Sequence, residues 1–146
     1  MMYLIDTNVV SELRKPGIAR LAARVDDNVL AWSNGVPAGS QFLSVISILE
    51  LEMGAIAMER RDPRQGAILR EWLENKVLPA FADRILPIDT LIARKCAALH
   101  VPNPKHQRDA LIAATALVHG MTVVTRNTAD FEATGVAWLN PWVSHG

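Results

Sequence analysis

Short apolar runs alternate with longer segments of helical periodicity along most of the chain. Residues 2–5, Met2-Tyr3-Leu4-Ile5, have the length and the aromatic and branched content of a buried strand, and the run stops at Asp6. Helical segments are expected at residues 9–14 and 18–28, separated by Pro16-Gly17, with a loop over 33–39. A second strand covers 41–45. Ser47 and Glu50 stand in capping-box spacing at the head of a helix that runs to about Arg60. Asp62-Pro63 opens the next helix, with Ile68, Leu69, Trp72 and Leu73 on one side and an end before Pro79. A short strand at 84–86, an Asp89-capped helix through Leu99 and a turn at 101–104 follow. A helix from Asp109 to His119 is then stopped by Gly120. Strands at 121–125 and 136–139 flank a turn or short helix at 127–131. This alternation predicts βαβ units and a parallel sheet, and no linker or internal repeat divides residues 1–146, so one α/β domain is expected.

Composition narrows the function classes. Half of the chain is hydrophobic, enough for a sizeable core. Lys+Arg and Asp+Glu both number 15, so no overall basic charge grips phosphates, and any nucleic-acid attraction must come from a local patch or a metal ion. The single cysteine, Cys96, excludes an internal disulfide framework and reads as a small buried helix residue. The N-terminus lacks a basic leader, and Asp6 interrupts its apolar run. No stretch is apolar for long enough to span a bilayer. A cytoplasmic location is the expectation.

Chemistry points to the carboxylates. Asp6 ends a buried strand, where an unpaired charge is costly and a cation or several donors should lie close. On the helix after the second strand, Glu52 and Glu59 share a face, while Glu50 lies roughly 160° from Glu52 and points into the protein or a cleft. A capping box with Ser47 accounts for Glu50 without any chemistry. Gly54, one turn on, suggests close approach of another element. Asp109 opens the most apolar helix, where an acid can serve simply as an N-terminal cap. Asn127 and Asp130 follow the strand at 121–125, where a turn with a capped helix would also explain them. Strand ends and the starts of following helices share one edge of a parallel sheet, which brings Asp6, Glu50 and Asp130 together. Asp109 lacks a strand directly before it. Clustered carboxylates raise one another's pKa, and a hard divalent cation removes the conflict. An all-oxygen donor set suits Mg²⁺ or Mn²⁺, one or two ions, acting on a phosphodiester.

Four stretches then carry a resemblance: residues 4–12, Leu-Ile-Asp-Thr-Asn-Val-Val-Ser-Glu; 47–54, Ser-Ile-Leu-Glu-Leu-Glu-Met-Gly; 109–114, Asp-Ala-Leu-Ile-Ala-Ala; and 125–131, Thr-Arg-Asn-Thr-Ala-Asp-Phe. In order and spacing over essentially the whole chain they resemble PIN-domain ribonucleases. The likeness is to the VapC toxins of VapBC type II toxin–antitoxin systems, and Asn140-Pro141-Trp142 is similar to the FitB-like group in particular. The resemblance implies a three-layer α/β/α sandwich around a parallel sheet. It implies Mg²⁺-dependent cleavage of RNA, inhibition by a cognate VapB-type antitoxin, and a homodimer. It carries metal-site roles to Asp6, Glu50 and Asp109, with Thr7 and Asn8 beside the first acid and Thr7 a candidate to orient it. Many relatives place Asp where this chain has Asn127, and here Asp130 supplies the charge three residues on. Which of the two completes the site stays open.

Arg14, Lys15, Lys105, His106, Arg108 and Arg126 are candidate phosphate contacts, each also explicable as solvated surface. Trp32, Trp72, Trp138 and Trp142 read as core or interface residues. Leu13, Ile18, Leu21 and Val25 would frame a groove for an amphipathic antitoxin segment or simply pack the core. The rival function is a PIN-fold protein of weak catalysis acting as a partner-binding or DNA-bound regulatory subunit. A haloacid-dehalogenase-like phosphatase would need Asp-x-Asp where this chain has Asp6-Thr7-Asn8. A receiver domain would need a phosphoacceptor Asp after a middle strand, and a dinucleotide-binding domain a glycine-rich loop after strand one.

Overall fold

The computed structural model describes residues 1–15 and 25–143. Strands β1 (Tyr3–Ile5), β2 (Gln41–Ser44), β3 (Ile85–Leu86), β4 (Thr122–Val124) and β5 (Trp138–Leu139) form one sheet in the order β3-β2-β1-β4-β5. Every neighbouring pair is parallel; Leu4 sits beside Phe42 on one side and Val123 on the other. Period-two alternation splits the central strands between two cores. Ile5 and Val124 pack with Val9, Val29, Leu43, Leu51 and Ala55, whereas Leu4 and Val123 pack with Ile112, Ala113, Ala116 and Phe131. Helices α1 (Thr7–Leu13), α2 (Asp27–Gly35) and the body of α3 (Val45–Arg61) thereby cover one face. Helices α6 (Gln107–His119) and α7 (Thr128–Glu132) cover the other, with α5 (Thr90–Leu99) packed against α6. This is the expected α/β/α sandwich. No helix among the described residues is long and apolar enough to cross a membrane.

Several local expectations need correction. Helix α3 begins at Val45, not after Ser47: Ser44 ends β2 in extended backbone and its Oγ accepts the Ile46 N–H at 3.0 Å. Both serines satisfy the capping rule in sequence, and the buried end of β2 selects the earlier one. Helix α4 (Pro63–Trp72), capped by Asp62 as expected, continues past Trp72. A π turn at Leu73–Val77 leads into Leu78–Ala80, and the Leu78 N–H donates to the Leu73 carbonyl five residues back. That widened turn lets the helical path run through Pro79, whose ring and missing N–H would otherwise break an α-helix. Helix α2, capped by Asp26, occupies part of the expected loop; the helix expected at 18–28 lies mostly outside the described residues, Ile18 and Leu21 included.

Among the described residues no element closely approaches Gly54: a Cβ there would meet nothing within 4 Å. The crossing glycine is Gly66 instead, where a Cβ would press on the Glu59 backbone, 2.6 Å from its nitrogen. Helix α6 starts at Gln107, so Asp109 lies in its first turn and His106 holds the cap position. Cys96 is buried on α5, as its sequence context suggested.

Candidate active site

In the strand order β3-β2-β1-β4-β5 the chain moves one way from β1 to β2 and β3, and the other way to β4 and β5. The crevice of such a sheet opens at the carboxyl ends of the two strands where the order reverses, here β1 and β4. Asp6 follows β1 and Thr125 follows β4. Asp6 is buried, 4% exposed, and caps α1. Its Oδ1 accepts the Thr7 N–H at 2.8 Å, and its Oδ2 accepts the Thr125 hydroxyl at 2.8 Å and the Asn8 amide at 3.3 Å. The Asn8 Oδ1 in turn accepts the Arg126 N–H at 3.3 Å, tying the ends of β1 and β4 together. Burial nevertheless dominates: it pushes the Asp6 carboxyl up to about 6 against the pull of the Thr125 and Thr7 bonds, and the charges of Asp109 and Glu50 add to the rise.

Thr7 does not orient Asp6 through its side chain. Its hydroxyl donates to Glu50 Oε1 at 2.6 Å, and Ser47 Oγ lies 3.0 Å from the Thr7 hydroxyl oxygen. Ser47, freed from the capping role, is thus a buried part of the site. Glu50 Oε2 lies 3.5 Å from Arg108 Nε. The capping-box account of Glu50 therefore falls away, and its predicted orientation away from Glu52 and Glu59 holds.

Asp109 reaches the same edge because α6 feeds β4. A helix preceding a parallel strand runs against it, so its first turn lies at the strands' carboxyl ends. No hydrogen-bond donor among the described residues holds the Asp109 carboxylate. Burial raises its pKa first, then the charges of Asp130 and Glu50, with His106 and Arg108 opposing. Glu50, His106, Gln107, Arg108, Asp109, Asn127 and Asp130 line an open cleft of about 510 Å³. Asn127 and Asp130 thus face one space. Asn127 also donates its backbone N–H to Thr125 Oγ1 at 3.0 Å.

The structure brings Asp6 within electrostatic range of Glu50 and Asp109, and Asp109 within range of Glu50 and Asp130. Among the described residues, no three of them stand close enough together to hold a metal ion between them as the side chains are placed. Thr125, whose hydroxyl donates to Asp6 and accepts from the Asn8 amide and the Asn127 N–H, has no role assigned from sequence; a hydroxyl at the exit of a central strand, opposite Asp6, is the available signal. The candidate phosphate contacts scatter. Lys15 pairs with Glu12 at 2.8 Å, Lys105 donates to the Asn103 carbonyl at 2.8 Å, and Arg126 stacks 5.0 Å over Trp142. Arg14 stacks on Trp72, while His106 and Arg108 line the acidic cleft.

Comparison with known proteins agrees with this geometry. The PIN domain family model matches residues 3–136. VapC ribonuclease Y4jK of Sinorhizobium fredii is 40% identical, over 97% of this chain and 98% of that protein. Toxin FitB of Neisseria gonorrhoeae is 36% identical, over 97% of this chain and 99% of its own length. The crystal structure of FitAcB from Neisseria gonorrhoeae superposes with a TM-score of 0.84 at 36% identity, covering 97% of this chain and 99% of that one. With a family match from β1 to the approach of β5 and relatives of this identity over nearly their whole length, the chain belongs to the PIN domain family, among the VapC and FitB toxins.

Proposed function

We propose that the chain is a Mg²⁺-dependent endoribonuclease, the toxin of a type II toxin–antitoxin pair, and that a cognate antitoxin restrains it. The observation that carries this reading is the set of carboxylates at the sheet's reversal point, with Asp6 raised to about 6 and Asp109 raised as well. Relatives named as a VapC ribonuclease and a FitB toxin, and neighbours described as FitAcB and as FitAB bound to a DNA fragment, support the substrate and the partner.

The residues fit a divalent cation. All four acids offer oxygen donors, which suit Mg²⁺, and the charges of Asp109 and Glu50 on Asp6, and of Asp130 and Glu50 on Asp109, favour an added positive charge. Asp6, Asp109 and Asp130 would hold the ion directly or through water, with Glu50 beside them. Once bound, the ion would lower the pKa of a water and neutralise charge on the phosphodiester. The chain's own groups supply the rest. Thr125, Asn8 and the Thr7 N–H fix both oxygens of Asp6. Thr7 fixes one oxygen of Glu50 and leaves the carboxylate able to accept a proton from an attacking water. Arg108 and His106, on the rim, can meet the phosphate.

Purified protein incubated with RNA tests the reading. Cleavage in Mg²⁺, none in chelator, and none by a folded Asp6→Asn variant are expected. A folded Asp6→Asn protein that cuts RNA as fast as the wild type would remove the assignment.

A further inference from the structure

A second, smaller cleft shares a wall with the acidic one. Its volume is about 120 Å³, and Thr7, Ser11, Arg14, Glu50, Gly54 and Trp72 are among its lining residues. Glu50 lines both clefts. Arg14 closes the end of α1, with its guanidinium carbon 5.6 Å from the centre of the Trp72 ring. Its Nε is buried and has no hydrogen-bond partner. Although Arg14 and Glu50 line the same cleft, no ion pair joins them among the described residues. Partial burial lowers the Arg14 pKa. A guanidinium stacked on a ring, with its Nε unpaired, can take an anion, and its fork suits phosphate oxygens. The Ser11 and Thr7 side chains add hydroxyls to the same walls.

Gly54 sits in this cleft, in the interior of α3, where alanine would favour the helix by about 1 kcal/mol. A Cβ there would touch nothing within 4 Å among the described residues, so packing against them gives no reason for glycine. A methyl group would raise the floor of the cleft. At about 120 Å³ against about 510 Å³ for the acidic cleft, the space is small.

We propose that this cleft is a phosphate subsite, in which Arg14 holds the RNA backbone phosphate next to the one cleaved at the acidic site. The proposal rests on the ribonuclease reading above. Its test compares wild type, Arg14→Gln and Gly54→Ala. Cleavage is followed on an oligoribonucleotide whose phosphates near the cut are replaced one at a time by neutral methylphosphonates. Binding is followed by anisotropy of a labelled, uncleavable 2′-O-methyl oligonucleotide. Each substitution is expected to raise KM and Kd about tenfold, the scale of one lost charge-assisted contact, with a smaller change in kcat. Gly54→Ala should do so while raising Tm, which a merely structural role would not produce. One methylphosphonate beside the cut should weaken wild type by the same factor and Arg14→Gln no further. If wild type cleaves but both variants keep its KM and Kd, or the methylphosphonate and Arg14→Gln losses multiply, the subsite is refuted and the ribonuclease reading stands. If wild type neither cleaves nor binds RNA, the ribonuclease reading falls and takes the subsite with it.

Discussion

Helix α3 carries acids on two faces, and their surroundings differ. On the outer face, Glu52 and Glu59 meet Arg70 of α4 at 2.5 and 3.0 Å, and Glu74 stands 3.8 Å from the same guanidinium. There the chain supplies its own counter-charge, and Arg70 holds the Glu59 pKa below its usual value. On the inner face, Glu50 joins Asp6, Asp109 and Asp130, and the balance reverses: Asp6 and Asp109 are both raised by burial and by their acidic neighbours. Arg108 is the cation that reaches toward this group, and at 3.5 Å from Glu50 it leaves Asp6 without an ion pair among the described residues. The same residue type is therefore neutralised on the outer face and left in conflict at the inner edge, where the proposed cation would bring the missing charge.

The largest expected effect breaks the inner group. Asp6→Asn should lower RNA cleavage more than about 100-fold, as loss of a metal-site group does. It should also stabilise the metal-free protein at pH 7, by on the order of 1–3 kcal/mol, because a desolvated charge is removed. Urea melts in chelator would show both the retained fold and the gain.

The pH dependence follows from the same group. The Asp6 pKa is about 6 in the folded protein against 3.8 as the ordinary value. A raised folded pKa means that the folded state binds the proton more tightly. The stability contributed by protonated Asp6 is complete below about pH 4 and is lost as pH rises through about 6, a change of about 3 kcal/mol at full burial. The difference between wild-type and Asp6→Asn melts across this window isolates it. A flat difference would show that Asp6 is not strained.

Gly66→Ala addresses the outer group. The new methyl would strike the Glu59 backbone, separate α3 from α4 and cost about 1–3 kcal/mol of stability, read by denaturant melts. Thr7→Val removes the hydroxyl that fixes Glu50 and should lower kcat about tenfold with a smaller change in stability. The smallest effect is expected from Arg70→Gln: a slight fall in Tm that added salt erases, with cleavage unchanged, since the pairs it breaks are partly exposed.

Much of this contrast was legible in the residues. Apolar runs placed the strands within a residue or two, and the angular separation of Glu50 from Glu52 and Glu59 already divided the acids by face. Asp62 and Asp89 announced their helices through local hydrogen bonds, a signal held within four residues. What failed depended on distant partners. Ser44 and Ser47 are equivalent as caps until β2 fixes where the extended backbone ends. Gly54 and Gly66 are equivalent as interior glycines until α4 crosses α3, and only then does one prove to be a packing requirement and the other an opening. Pro79 read as a stop because the π turn that accommodates it leaves no mark in the pattern. Asp109 looked misplaced for want of a strand before it, although the strand after its helix places it at the same edge.

The central claim is that the inner acids await a divalent cation. Mg²⁺ titration of thermal unfolding at pH 7, in wild type and Asp6→Asn, measures that directly. Mg²⁺ at about 100 times its dissociation constant should stabilise wild type by about 2.7 kcal/mol, with little effect on Asp6→Asn. Equal shifts in the two proteins, or none in either, would contradict the account.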